Sequence, residues 1–100
     1  MLKRVLAIAK VRKELVPEYI RLHDNIPQEV LDEYRKYGII HISCFLDEND
    51  TLYIYQEYDD AYDALRVPEN TPADAAWQKM VGPCADPGFV PTHPKEVFRM

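Results

Sequence analysis

The chain has 100 residues and a formal net charge of −5, with acids and bases interspersed, which fits one small domain over residues 1–100 and excludes the basic stripe of a nucleic-acid-binding protein. No apolar run approaches the ~20 residues of a membrane-spanning helix, and the two cysteines, Cys44 and Cys84, have no metal-ligand or disulfide-framework spacing and fit free thiols in a reduced, cytoplasmic compartment. A domain this short buries a modest fraction of its surface, so association with a second copy is expected.

The first predicted element is a strand, KRVLAIAKV over 3–11, with Leu6 and Ile8 on one face and Val5, Ala7 and Ala9 on the other. Charge returns at Lys10 and no small-residue cleavage site follows, so the segment reads as a strand and not as a secretory signal. The Val5–Ala7–Ala9 face is small. Such a face is filled by a neighbour's bulk or leaves room for a ligand, and the first is the commoner outcome.

Residues 15–37 carry one apolar stripe at three- and four-residue steps: Val16, Tyr19, His23, Ile26, Val30, Tyr34 and Tyr37. Pro17 suits a first helical turn, where a missing N–H costs nothing. Pro27 does not suit a helix interior, so two helical pieces broken near Asp24–Ile26 are expected, with His23 ending the first. Asn25 followed by Gln28 resembles an N-cap and its capping-box partner for the second piece.

Gly38 stops that piece. IIHISCFLD (39–47) and TLYIYQEY (51–58), joined by the turn residues DEND, predict an antiparallel hairpin. DAYDALRV (60–67) reads as a short amphipathic helix. Thr71, Pro72 and Asp74 form a helix start, and the helix runs through Trp77 and Met80 to Gly82–Pro83. A proline-rich connection leads to KEVFRM as a last strand.

The order β-α-β-β-α-β predicts the α+β, ferredoxin-like split βαβ arrangement, an antiparallel sheet with helices on one face. The hairpin strand is apolar on both faces, Leu52 and Ile54 on one and Tyr53 and Tyr55 on the other. A sheet with one wet face alternates apolar and polar residues. The bare face therefore calls for a cover, and a symmetric homodimer provides one.

Tyr19 and His23, four positions apart, project side by side from the helix toward the sheet, and Trp77 belongs to the second helix on the same face. An indole packs against the C–H groups of a sugar ring, a phenol donates and accepts a hydrogen bond, and an imidazole exchanges a proton near neutral pH. The plain alternative is that all three are core residues. Glu57, in YQEY, is a second acid–base candidate or a solvated rim residue. His41 and His93 have no metal-ligand spacing, and there is no Gly-rich phosphate loop, GxSxG or CxxC, so neither a metal nor a cofactor is expected.

At these residues the chain resembles the L-rhamnose mutarotase family. The matching stretches are EYIRLH (18–23), Glu29, GIIHISCFLD (38–47), YQEY (55–58), AWQKM (76–80) and KEVF (95–98). The resemblance implies a dimeric α/β-barrel of ferredoxin-like subunits that interconverts the α and β anomers of a 6-deoxy sugar without a cofactor. His23 then corresponds to the proton donor, and Tyr19 and Trp77 to sugar contacts. HDNIPQE stands where the family usually has HNPIWPE, Ala76 where a second tryptophan is common, and Ile42 where a tyrosine contacts the sugar. Two other functions fit the same architecture: a monooxygenase-like enzyme, and a non-catalytic sugar-binding dimer.

Overall fold

The computed structural model describes residues 2–59 and 72–100. Its first strand, β1 (Leu2–Lys10), is followed by a short 3-10 turn and two helices, α1 (Val16–His23) and α2 (Gln28–Lys36). Strands β2 (Ile39–Leu46) and β3 (Thr51–Asp59) follow, then α3 (Pro72–Val81) and a second 3-10 turn. The helix expected over 60–67 and the cap at Thr71 lie outside the described residues.

Helices α1 and α2 separate where proline forbids continuity. Pro27 is the N-cap of α2, with ψ at 136°, and no side chain caps that end. Asn25 does not act there: its side-chain amide donates to the Arg21 carbonyl at 2.8 Å and so closes the end of α1. With Pro27 in the cap position, Asn25 lies two residues too early to reach the first free N–H groups of α2. Past the end of α2, Gly38 takes a φ of 92°, a left-handed conformation that glycine adopts without strain.

The three strands form an antiparallel sheet in the order β1-β3-β2. The register stacks residues in rows across it. On the helix-covered face the rows are Val5–Gln56–Ile42, Ala7–Ile54–Cys44 and Ala9–Leu52–Leu46. On the other face they are Arg4–Glu57–His41, Leu6–Tyr55–Ser43 and Ile8–Tyr53–Phe45. A register shift between Ile39 and His41 leaves Ile40 as the extra residue. The bulge lets Ile39 and Ile42, an odd number of positions apart, both face the helices. The hairpin turn is closed by Asp47, whose carboxylate accepts from the backbone N–H groups of Asn49 and Thr51, and Asp50 adopts a φ of 64°.

The helices cover one face of this sheet. Their buried residues Tyr19, Leu22, Val30 and Trp77 meet Val11 and Leu52 of the sheet side and Cys84 of the second 3-10 turn in one core. The last six residues are not a strand. The segment before them meets β1 at Asp86, whose backbone N–H donates to the Lys10 carbonyl at 2.9 Å, and at Thr92, which exchanges backbone hydrogen bonds with Ile8 at 2.8 and 3.0 Å. Pro91 and Pro94 flank that bridge, and neither carries the N–H a ladder needs. Thr92 nevertheless marks the edge of β1 where a fourth strand of the split βαβ arrangement belongs, and beyond it Val97 and Phe98 are 88% and 79% exposed.

Candidate functional site

Between the helices and the sheet lies a cavity of about 960 Å³. Ligand pockets commonly span about 300–1,000 Å³, so a pyranose and several waters fit. Its floor includes Val5, Ala7, Ala9, Ile42 and Ile54. The small face of β1, expected to be filled by a neighbour, instead leaves the room.

His23, the last residue of α1, lines this cavity half-buried. Its Nδ1 lies 2.8 Å from the backbone carbonyl oxygen of Tyr19. A carbonyl only accepts, so Nδ1 carries the hydrogen and neutral His23 keeps its lone pair on Nε2. Four residues per slightly more than a turn bring the two rings together as well, with centroids 4.0 Å apart. Trp77, on the buried face of α3, meets the imidazole edge-on at 5.2 Å. The three residues singled out from the sequence thus line one cavity.

A family model described as L-rhamnose mutarotase matches residues 4–100. The chain belongs to the L-rhamnose mutarotase family.

Solved structures agree with that membership in fold. The L-rhamnose mutarotase of Formosa agariphila has a TM-score of 0.75 at 24% identity, over 98% of each chain. A protein of Bordetella bronchiseptica classed among the antibiotic biosynthesis monooxygenases superposes with a TM-score of 0.71 at 13% identity, over 97% of this chain and 98% of that one. A conserved protein of Methanosarcina mazei Go1 gives 0.65 at 19% identity, over 96% and 93%. These likenesses are of the ferredoxin-like fold. No curated protein sequence matches the chain.

Within this mutarotase-family cavity, Tyr19 is 8% exposed and shares the wall with Cys44. Burial, with Cys44 adding to it, pushes the Tyr19 phenol well above its ordinary range, so it remains a neutral donor and acceptor and not a base. Burial also raises the Cys44 thiol, while the neighbouring Tyr19 hydroxyl opposes that shift. Both cysteines are free, as expected.

Glu57 is not brought to the cavity. It occupies the opposite sheet face between Arg4 and His41 and accepts the Tyr55 hydroxyl at 3.0 Å. Strand alternation is the cause: Leu52, Ile54 and Gln56 share the cavity face, so the next residue turns away. Gln56 therefore takes the cavity face, and of the two readings of Glu57 its place outside the cavity leaves the rim. Among the positions that depart from the family pattern, Ile42 lines the cavity, and Ala76 is exposed on α3.

Three lining residues escaped the sequence reading. Tyr34 belongs to the apolar stripe but read as core. Burial, then the nearby Asp74 charge, raises its phenol to about 12. Asp74, 8% exposed, read only as the acid of a first helical turn. His93 lines the cavity from an irregular segment with no periodicity to point inward. Among the described residues no group of histidine, cysteine and acid side chains could hold a metal ion, and no helix is long and apolar enough to cross a membrane.

Proposed function

We propose that this protein is a sugar mutarotase that interconverts the α and β anomers of a 6-deoxy pyranose such as L-rhamnose, with His23 as its acid–base group and Tyr19 and Trp77 as sugar contacts. The observation that carries the reading is His23 itself: its Nδ1 is tied to the Tyr19 carbonyl beside a cavity large enough for the sugar.

Ring opening breaks the C1–O5 bond as O5 gains a proton and the anomeric hydroxyl loses one. The aldehyde rotates about C1–C2, and closure on its other face returns the proton to the opposite anomer. The Nδ1 bond to a carbonyl survives in both charge states of the imidazole. Nε2 therefore alternates between lone pair and N–H without the ring turning. In the cationic state it protonates O5, and in the neutral state it takes the proton back on closure. Tyr19 is held neutral by burial, and Glu57 lies across the sheet. Water admitted to the cavity carries the anomeric proton. The reaction is proton transfer alone and calls for no cofactor, and a placed acid–base pair contributes ~10²–10⁴-fold.

The test is magnetisation-transfer NMR on L-rhamnose with wild-type protein and His23→Ala. Anomer exchange accelerated by wild type and lost in the variant supports the assignment. Equal acceleration by both removes His23 from the chemistry.

The active form in this reading is a homodimer. The uncovered sheet face has an apolar centre of Leu6, Ile8, Tyr53, Tyr55 and Phe45, the last 59% exposed. Arg4 and Glu57 flank it with opposite charges on neighbouring strands. A two-fold-related copy covers the apolar centre and pairs those charges, and the exposed Val97–Phe98 segment reaches the same partner.

A further inference from the structure

Ring opening needs two proton transfers, and His23 accounts for the one at O5. The anomeric proton, carried by water, needs a base to receive it. His93 lines the same cavity from the other layer. His23 closes α1 among the helices, whereas His93 follows the bridge between Thr92 and Ile8 at the edge of the sheet. Strand parity fixes its direction. Ile8 and Thr92 are paired and share the outer face, so His93 falls beside Ala7 and turns inward. It thereby extends the floor row Cys44–Ile54–Ala7 by one residue. Ala7 is small and leaves the imidazole space above the floor. Pro94 holds the backbone of His93 in the extended region, so the main chain sets the approach of the ring. Among the described residues no hydrogen bond or ion pair engages that ring. The other groups on the wall are poor proton acceptors. Burial pushes up the Tyr19 and Tyr34 phenols and the Cys44 thiol, which keep their hydrogens. The Lys10 ammonium has no lone pair, and Asp74 is already engaged.

We propose that His93 receives the anomeric proton through water in the cavity and returns it on closure, a role that rests on the mutarotase reading of this cavity. Two imidazoles, one from each layer, then share the step. The electron pair of the C1–O5 bond goes to O5, which takes the proton from Nε2 of cationic His23. The pair of the O1–H bond becomes the second C1–O1 bond as that proton passes through water to neutral His93. Closure on the other face reverses both transfers, and both rings end as they began. No reagent is consumed. An imidazole suits both directions because it takes and gives a proton near neutral pH. His93 is exposed, so water reaches it from the cavity mouth as well as from within.

The experiment measures kcat and KM for anomer exchange of L-rhamnose by magnetisation-transfer NMR, against pH, in wild type, His93→Gln and His93→Ala. His93→Gln lowers kcat about a hundredfold, the low end of what a placed proton-transfer group contributes, and leaves KM within about twofold. In wild type kcat falls toward low pH as His93 gains a proton, and His93→Gln removes that limb. Added imidazole restores exchange to His93→Ala, which a merely structural histidine does not allow. His93 lies outside the core, so both variants keep the wild-type urea midpoint. A kcat in His93→Gln within about threefold of wild type would overturn the assignment, as would a loss confined to KM or an acid limb that persists in the variant. So would His93→Ala that is folded, impaired and indifferent to imidazole. Wild type that accelerates exchange of no neutral pyranose overturns the mutarotase reading and this assignment together. Active wild type with unimpaired His93 variants overturns this assignment alone.

Discussion

The backbone carbonyl of Tyr19 accepts the Nδ1 hydrogen of His23 at 2.8 Å, so the main chain of one residue fixes the tautomer of the other. The tyrosine side chain instead lines the cavity beside Cys44. This division predicts that Tyr19→Phe keeps the His23 tautomer. Long-range proton–nitrogen NMR should find neutral His23 protonated at Nδ1 in wild type and in Tyr19→Phe alike. Signals from the Nε2-protonated form in either protein would contradict the arrangement.

Trp77 serves both the core and the cavity. It is 4% exposed and packs edge-on against His23. Trp77→Ala removes a buried aromatic at a cost of about 3–5 kcal/mol, a large share of the roughly 5–15 kcal/mol that holds a small domain together. Trp77→Phe retains an aromatic face and should lose about 1–2 kcal/mol, on the scale of ordinary point mutants. Its effect on sugar affinity should exceed its effect on the urea midpoint. Urea unfolding and sugar titration of the two variants separate the roles.

Alkaline stability follows from the buried phenols. Folding raises the Tyr34 phenol from 10.0 to about 12, through burial first and the Asp74 charge second. A group whose folded pKa lies above its unfolded value stabilises fully below the unfolded pKa and loses that contribution as pH rises through the folded one. The unfolding midpoint should therefore fall between about pH 10 and about pH 12, as tyrosinate absorbance appears. Tyr19 shifts in the same direction and adds to the slope. Tyr34→Phe should flatten the profile, and an unchanged slope in that variant would assign the loss elsewhere.

The uncovered sheet face makes the association state a direct readout. Phe45→Asp places a charge at the apolar centre of that face, where Ile8 and Tyr53 share its row. Sedimentation should find wild type as a dimer and Phe45→Asp as a concentration-dependent or monomeric species. Unchanged far-ultraviolet dichroism would separate lost association from lost folding. A wild type that sediments as a monomer at all concentrations would remove the dimer.

Local chemistry made much of this fold legible. Pro27 announced the break between α1 and α2, and the alternation of Leu52, Tyr53, Ile54 and Tyr55 announced a strand apolar on both faces. The i,i+4 spacing of Tyr19 and His23 placed them together, and the structure does so. Errors arose where a residue's task depended on distant elements. Asn25 has cap chemistry that suits either of two helix ends, and only Pro27's position as N-cap decides between them. Of the two readings of Glu57, parity with Leu52 and Ile54 favours the rim, on the far face. KEVFRM has the composition of a strand, yet the bridge to β1 falls before it, at Thr92, between two prolines. Asp74 and Tyr34 are far apart in the chain, and no periodicity links them.

The close of α1 has one more consequence. The imidazole and the carbonyl that steers it belong to a single stretch of five residues, whereas Ile42, Tyr34, Asp74 and Trp77 come from three other elements. In the proposed mutarotase, the proton at O5 is thus handled locally, while the cavity walls are drawn from dispersed elements. Divergence can retune the walls one position at a time while the reactive group keeps its aim, so relatives sharing the histidine need not share a sugar.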